Sequence, residues 1–135
     1  ISELRKRERA NPGVLRFFRD LATRQTEAQI NLAYISVVTL GELRRGVDLI
    51  RHRGDFIQAE ALDAWVTGLL ADYDDNLLDF GKEEAQVWGR LRVPHPENAL
   101  DKQIAATALV YGFTLVTRNV RDFVGTGVAR VNPFD

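Results

Sequence analysis

The stretch that most constrains the fold is residues 97–123, ENALDKQIAATALVYGFTLVTRNVRDF, which encodes a helix, a tight turn and a short apolar strand in one run. Pro96 or Glu97 opens the helix, and Asn98 is expected as its N-cap. Ile104, Ala105, Ala108 and Leu109 recur at helical spacing and mark the buried face. Small alanines let a helix lie close against a sheet, so Asp101 projects from the first turn at the end of a tightly packed face. Gly112 suits the left-handed C-terminal cap. Residues 114–117, TLVT, have the short β-branched character of a buried parallel strand. The chain then leaves the strand's C-terminal end carrying Asn119 and Asp122. Open parallel sheets bind ligands at that end of their strands.

The remaining sequence alternates in the same way. Asn11 and Pro12 start a helix whose face is Val14, Phe18 and Leu21, with Leu15 and Ala22. Residues 32–36, LAYIS, form the first strand expected. Ser36 or Thr39 caps the helix that follows, and Leu40, Leu43, Val47 and Ile50 make its core stripe. Glu42 lies off that stripe, near the helix N-terminus. Gly46 stands one turn above it, and a mid-helix glycine costs roughly 1 kcal/mol relative to alanine; close approach of another backbone is the expected reason. After a charged break at 51–55, residues 56–70 form a long amphipathic helix facing inward through Leu62, Trp65, Val66 and Leu69. An acidic loop at 72–76, a strand at 77–80 and a helix at 82–91 follow, with Ala85, Trp88 and Leu91 inward. The proline-stiffened VPHP loop at 93–96 leads back to the Asp101 helix. Gly125 and Gly127 mark a turn before a last edge strand at 128–131. Helix and strand alternate as in a single α/β domain with a largely parallel sheet. Residues 1–13 are polar and basic and carry no strand, so the alternation looks entered midway.

Composition narrows the classes. A chain of 135 residues buries roughly 68% of its unfolded surface, so no metal is needed merely to hold it together. A net charge of −1 argues against a general basic coat for nucleic acid and leaves room for a local basic rim. The absence of cysteine excludes disulfides and thiolate metal sites. No stretch is apolar over the length needed to span a bilayer and no signal peptide is visible, so the expected location is cytoplasmic.

Glu42, Asp101 and Asp122 each sit just past a strand or in the first turn of a helix. The helix dipole favours a carboxylate there by about 0.3–1 kcal/mol, which accounts for any one of them alone. Together they point further. In a parallel α/β fold, strand C-ends and the following helix N-termini share one edge, so Glu42, Asp101 and the Asn119/Asp122 elbow converge. Several close carboxylates cannot all stay ionised without a cation. A hard ion such as Mg2+ or Mn2+ is the natural partner, held through one or two carboxylates and keeping several waters. Such an ion acidifies bound water and neutralises charge on a phosphodiester under attack. Arg44 and Arg45 follow Glu42, and Arg118 and Arg121 flank Asn119; they are placed to rim the pocket and hold a phosphate backbone. The run of Arg5, Lys6, Arg7 and Arg9 reads as a solvated face. His52 and His95 pair at no metal spacing and read as loop surface, while Trp65 and Trp88 read as core. Asp74 and Asp75 are like the acidic doublet of phospho-acceptor domains, but they precede a strand instead of ending one.

With these residues in hand, the chain resembles the PIN-domain proteins of the VapC/FitB toxin group. The matching segments are YISVVTLGELRRGV around Glu42, ENALDKQIAATALVYG around Asp101, TLVTRNVRDF around Asn119 and Asp122, and the closing ARVNPF. The resemblance implies a three-layer α/β/α domain spanning residues 1–135, with a mainly parallel sheet between helices. It also implies Mg2+- or Mn2+-dependent cleavage of RNA, homodimers, and neutralisation by a VapB-type antitoxin in a hetero-oligomer. By position, Glu42 and Asp101 would be metal-pocket acids and Asp122 the adjacent acid. Asn119 holds a place that is often aspartate in relatives, and being neutral it would orient a water or a ligand. The family opens on a short apolar strand ending in Asp-Thr-Asn, followed by a segment like Ile1-Ser2-Glu3-Leu4, so that strand is expected upstream of Ile1. A second reading stays open: a non-catalytic PIN-like or receiver-like binding module, whose acids cap helices and whose arginines bind a partner.

Overall fold

A computed structural model of the protein describes residues 12–28 and 33–134. Helix α1 spans Pro12–Ala28. Strand β1 (Ile35–Ser36) runs directly into α2 (Val37–His52). Helix α3 (Phe56–Tyr73) ends in a 3-10 turn at Asp74–Asn76, which enters β2 (Leu77–Leu78). Helices α4 (Lys82–Leu91) and α5 (Ala99–Tyr111) follow. Strand β3 (Leu115–Val116), a second 3-10 turn at Val120–Phe123 and β4 (Arg130–Val131) close the chain.

The local chemistry explains most boundaries. Ser36 caps α2, its hydroxyl accepting from the Val38 N–H at 3.1 Å, and Thr39 lies inside the helix. Asp55 caps α3 through the Gln58 N–H at 3.2 Å. The Glu84 carboxylate reaches back to the Gly81 N–H at 3.0 Å, which satisfies one of the donors left open at a helix start. Gly112 ends α5 at φ 70°, and the Phe113 N–H returns to the Ala108 carbonyl at 2.8 Å. That is the expected left-handed cap.

The strands are shorter than their apolar runs. The stretches 77–80, 114–117 and 128–131 each contribute two paired residues, and in the run 32–36 pairing is confined to Ile35 and Ser36, with Leu32 outside the described residues. The expected sheet is also divided. Strands β1 and β2 pair in parallel, Ile35 opposite Leu77, and β3 and β4 pair in parallel, Leu115 opposite Arg130. Tyr34 and Phe113, just ahead of β1 and β3, stack with ring centroids 4.7 Å apart. Strand β3 is not buried as expected, since Val116 keeps 41% of its surface exposed.

Ala105, Ala108, Phe123 and Val128 form the buried centre, flanked by Leu91, Leu109 and Leu115. Val47 of α2 and Val66 of α3 are almost fully enclosed. An ion network stitches these two helices: Asp63 of α3 pairs with Arg44 at 3.0 Å and with Arg51 at 3.2 Å. Arg51 also reaches Asp48 at 3.0 Å and Glu60 at 3.5 Å.

Several inward assignments change. Ala85 is exposed and Glu84 is buried instead, because the α4 face is set by Glu84 folding back onto Gly81. Ala22 of α1 is exposed, while Val14 is buried. A methyl group added at Gly46 would meet nothing within 4 Å, so among the described residues no other backbone approaches there. Trp65 and Trp88 are half-buried. His52 belongs to the last turn of α2 instead of a loop, and His95 is exposed in the 93–98 loop beside Glu97 at 3.5 Å. The basic run at 5–9 lies outside the described residues. Among the described residues no helix is long and apolar enough to cross a membrane.

Candidate active site

Two helix N-termini build the site. Helix α2 leaves β1 without a linker, so Glu42 emerges at its second turn, on the exposed side away from Val47. Helix α5 starts from the 93–98 loop and carries Asp101, half-buried, in its first turn. Asn98 stands at the expected cap position but does not cap with its side chain. It adopts the left-handed conformation at φ 57°, which carries its amide away from the helix donors. Asparagine tolerates this conformation better than most residues.

Between the helices lies an open cleft of about 370 Å³, lined by Glu42, Asn98, Ala99, Leu100, Asp101 and Ile104. Glu42 and Asp101, far apart in sequence, thus share one cavity. Asp122 belongs to the same electrostatic group without lining the cleft. Burial pushes the Asp101 carboxyl above the ordinary carboxylate range, and the charges of Asp122 and then Glu42 push it further in the same direction. The structure therefore brings Asp101 within electrostatic range of both Asp122 and Glu42.

Asn119 sits at the cap position just ahead of the second 3-10 turn and Asp122 lies within it, shortly after β3. The Asn119 N–H bonds the Thr117 hydroxyl at 3.1 Å, and the Asn119 carbonyl accepts from the Asp122 N–H at 3.1 Å. The Asn119 side chain makes no capping bond and the residue is exposed.

The four arginines divide. Arg44 is engaged away from the cleft by Asp63 at 3.0 Å. Arg118 lies over the Phe134 ring, 4.8 Å from its centroid. Arg45 and Arg121 are exposed. Asn98 as a cleft wall escaped the sequence reading, which treated it as a cap; an Asn immediately ahead of a helix carries no signal that separates the two roles.

The donor set suits a hard cation. It consists of carboxylates, with no thiolate in the chain. Among the described residues no three His, Cys, Asp or Glu side chains close into a cage. The arrangement fits an ion of the Mg2+ kind, held by one or two carboxylates with water completing its shell, and not a closed all-protein site.

Comparison with known proteins follows the same lines. The sequence profile of the PIN domain matches residues 15–126. Ribonuclease VapC1 of Rickettsia felis is 34% identical over 96 residues, covering 67% of this chain and 68% of the relative. Toxin FitB of Neisseria gonorrhoeae is 31% identical over 107 residues, 75% of each chain. Among solved structures, FitAB bound to an IR36 DNA fragment superposes with a TM-score of 0.69 at 26% identity, covering 94% of this chain and 86% of that one. FitAcB from Neisseria gonorrhoeae gives the same TM-score and identity over 95% and 89%.

Proposed function

Because the chain belongs to the PIN-domain family, and to the VapC/FitB group within it, we propose that it is the toxin of a toxin–antitoxin pair and a Mg2+- or Mn2+-dependent endoribonuclease. The observation that carries this reading is the cleft lined by both Glu42 and Asp101, where burial and the negative charges of Asp122 and Glu42 push the Asp101 carboxyl up. A group held that way gains most from a cation, since ionising it alone is costly.

Asp101 and Glu42 hold the ion, facing one cleft from two helix starts. Asp122 adds negative charge from the 3-10 turn. The ion, when bound, neutralises charge on the phosphodiester and acidifies a water. Asn119, with an exposed amide that both donates and accepts, orients a water or the substrate. Arg45 and Arg121 hold the RNA backbone, where phosphate contacts position the substrate without reading its sequence; Arg118 serves beside them, steadied on Phe134. Arg44 is the weakest of the four for this role, because its charge is already spent on Asp63.

The proposed partners are a VapB-type antitoxin and a second copy of the chain, acting in the cytoplasm. The structures it resembles are FitAB, bound to an IR36 DNA fragment, and FitAcB. Phe56 and Ile57, at the start of α3, stay 62% and 88% exposed and offer apolar surface for such contacts. An antitoxin arginine entering the cleft would compete with the ion through its fixed fork of donors.

The test is direct. Purified protein, freed of any bound partner, is incubated with structured RNA in Mg2+, in Mn2+ and in chelator. Cleavage in either metal that chelator abolishes supports the nuclease. Intact RNA in all three favours the binding module instead.

A further inference from the structure

Lys102 has no part in the chemistry above, yet it is one of the most buried charged residues described, with 7% of its surface exposed. An ammonium is costly to bury, and a cation in the first turn of a helix opposes the helix dipole. Its head group donates to the His95 carbonyl, in the loop that leads into α5. Two donors from the α4 side act on the same segment. The Trp88 indole N–H bonds the Ala99 carbonyl at 2.9 Å, and the Arg92 Nε bonds the Pro96 carbonyl at 3.3 Å. The Arg92 guanidinium also lies over the Trp88 ring, 4.7 Å from its centroid. Three side-chain donors thus hold three carbonyls between residues 95 and 99. The backbone they hold continues directly into Asn98, Ala99, Leu100 and Asp101, which form one wall of the cleft opposite Glu42.

We infer that Lys102, with Trp88 and Arg92, is a positioning residue: it clamps the 95–99 backbone so that Asp101 is presented to Glu42 at the separation a divalent cation needs. The role is mechanical. The influences that act on the Asp101 carboxyl are burial, Asp122 and Glu42, so Lys102 does not serve as its counter-charge. Groups that orient ligands from behind in this way typically change metal affinity by about 10–100-fold when removed. The consequence for metal rests on the nuclease reading, whereas the clamp itself does not.

The experiment has two arms, each run on wild type, Lys102→Met and Trp88→Phe. Methionine keeps an unbranched stem of similar bulk without the donor, and phenylalanine keeps an aromatic ring without the indole N–H. In the first arm, hydrogen exchange on metal-free protein reads the Lys102 amide, bonded to the Asn98 carbonyl at 2.9 Å, and the amides that follow it to residue 105. Both variants are expected to exchange about tenfold faster there, with α2 unchanged. In the second, Mn2+ binding is read by electron paramagnetic resonance, independent of activity. Both variants are expected to bind about tenfold more weakly. Unchanged exchange at 102–105 overturns the clamp. Faster exchange with unchanged Mn2+ affinity overturns its link to the site. If wild type binds no Mn2+, the metal reading fails and the exchange arm decides the clamp alone. If Lys102→Met does not fold, Trp88→Phe carries both arms.

Discussion

Asp101 concentrates the physics of the site in one side chain. Its pKa is raised in the folded protein, so the native state holds this proton to higher pH than the unfolded chain does. The stability linked to that proton is fully present below the unfolded value and is lost as pH rises through the folded one. At neutral pH the metal-free protein therefore carries a small electrostatic penalty. Asp101→Asn should relieve it, raising the unfolding midpoint in chelator at pH 7, by no more than about 1 kcal/mol because solvent screens a half-exposed group. A fall in midpoint would show that the carboxylate is satisfied by something other than a cation. The same shift makes metal binding pH-dependent, since the ion requires the deprotonated acid. Mn2+ affinity should weaken on acidification, starting above the pH at which an ordinary aspartate protonates, and titration calorimetry at several pH values would show it. From sequence, Glu42, Asp101 and Asp122 could be singled out because each occupies a strand end or helix start. That Asp101 carries the shift was not legible, because its burial and the approach of Asp122 and Glu42 to it depend on tertiary structure.

Among the elements, helices were far easier to read than strands. The helix at 82–91 was legible to the residue, and Ser36, Gly112 and the Ala105/Ala108 face announce themselves through side-chain chemistry and 3.6-residue spacing. Strands depend on partners. The run at 114–117 could support four residues, but among the described residues only Leu115 and Val116 pair as strand with β4, and Thr117 adds one bond from its N–H to the Val131 carbonyl at 3.0 Å. Ala85 misled because a small residue on a short helix says little about which side faces in, whereas the bond from Glu84 to Gly81 decides it. The α2–α3 pair makes two testable demands. Val66→Ala should cost roughly 2 kcal/mol, as expected for emptying an enclosed site, measured by urea unfolding. Asp63→Asn should lower the thermal midpoint at low salt by loosening Arg44 and Arg51, and the loss should shrink in 1 M salt if the network is electrostatic. A loss independent of salt would instead point to packing.

At the scale of the whole molecule, the fold brings the N-terminal parts of α2 and α5 to one cleft, and Glu42 and Asp101 meet there because of that placement. The family and the parallel α/β character were legible in residues 34–47, 97–112 and 114–123, since strand, helix start and acid recur there together. The division into two ladders was not, because pairing depends on which strands lie side by side. The exposed start of α3 should be covered in solution. Native mass spectrometry is expected to give a dimer, and a larger hetero-oligomer on co-expression with the neighbouring reading frame; a monomer under both conditions would contradict the proposed partners. The central claim is that Asp101 makes this cleft a metal-dependent nuclease site, and single-turnover RNA cleavage in Mn2+, compared between wild type and a folded Asp101→Asn, tests it most directly. The account predicts a rate loss on the order of 100- to 1,000-fold, the scale of losing one charge-stabilising group; cleavage at the wild-type rate by Asp101→Asn would contradict it.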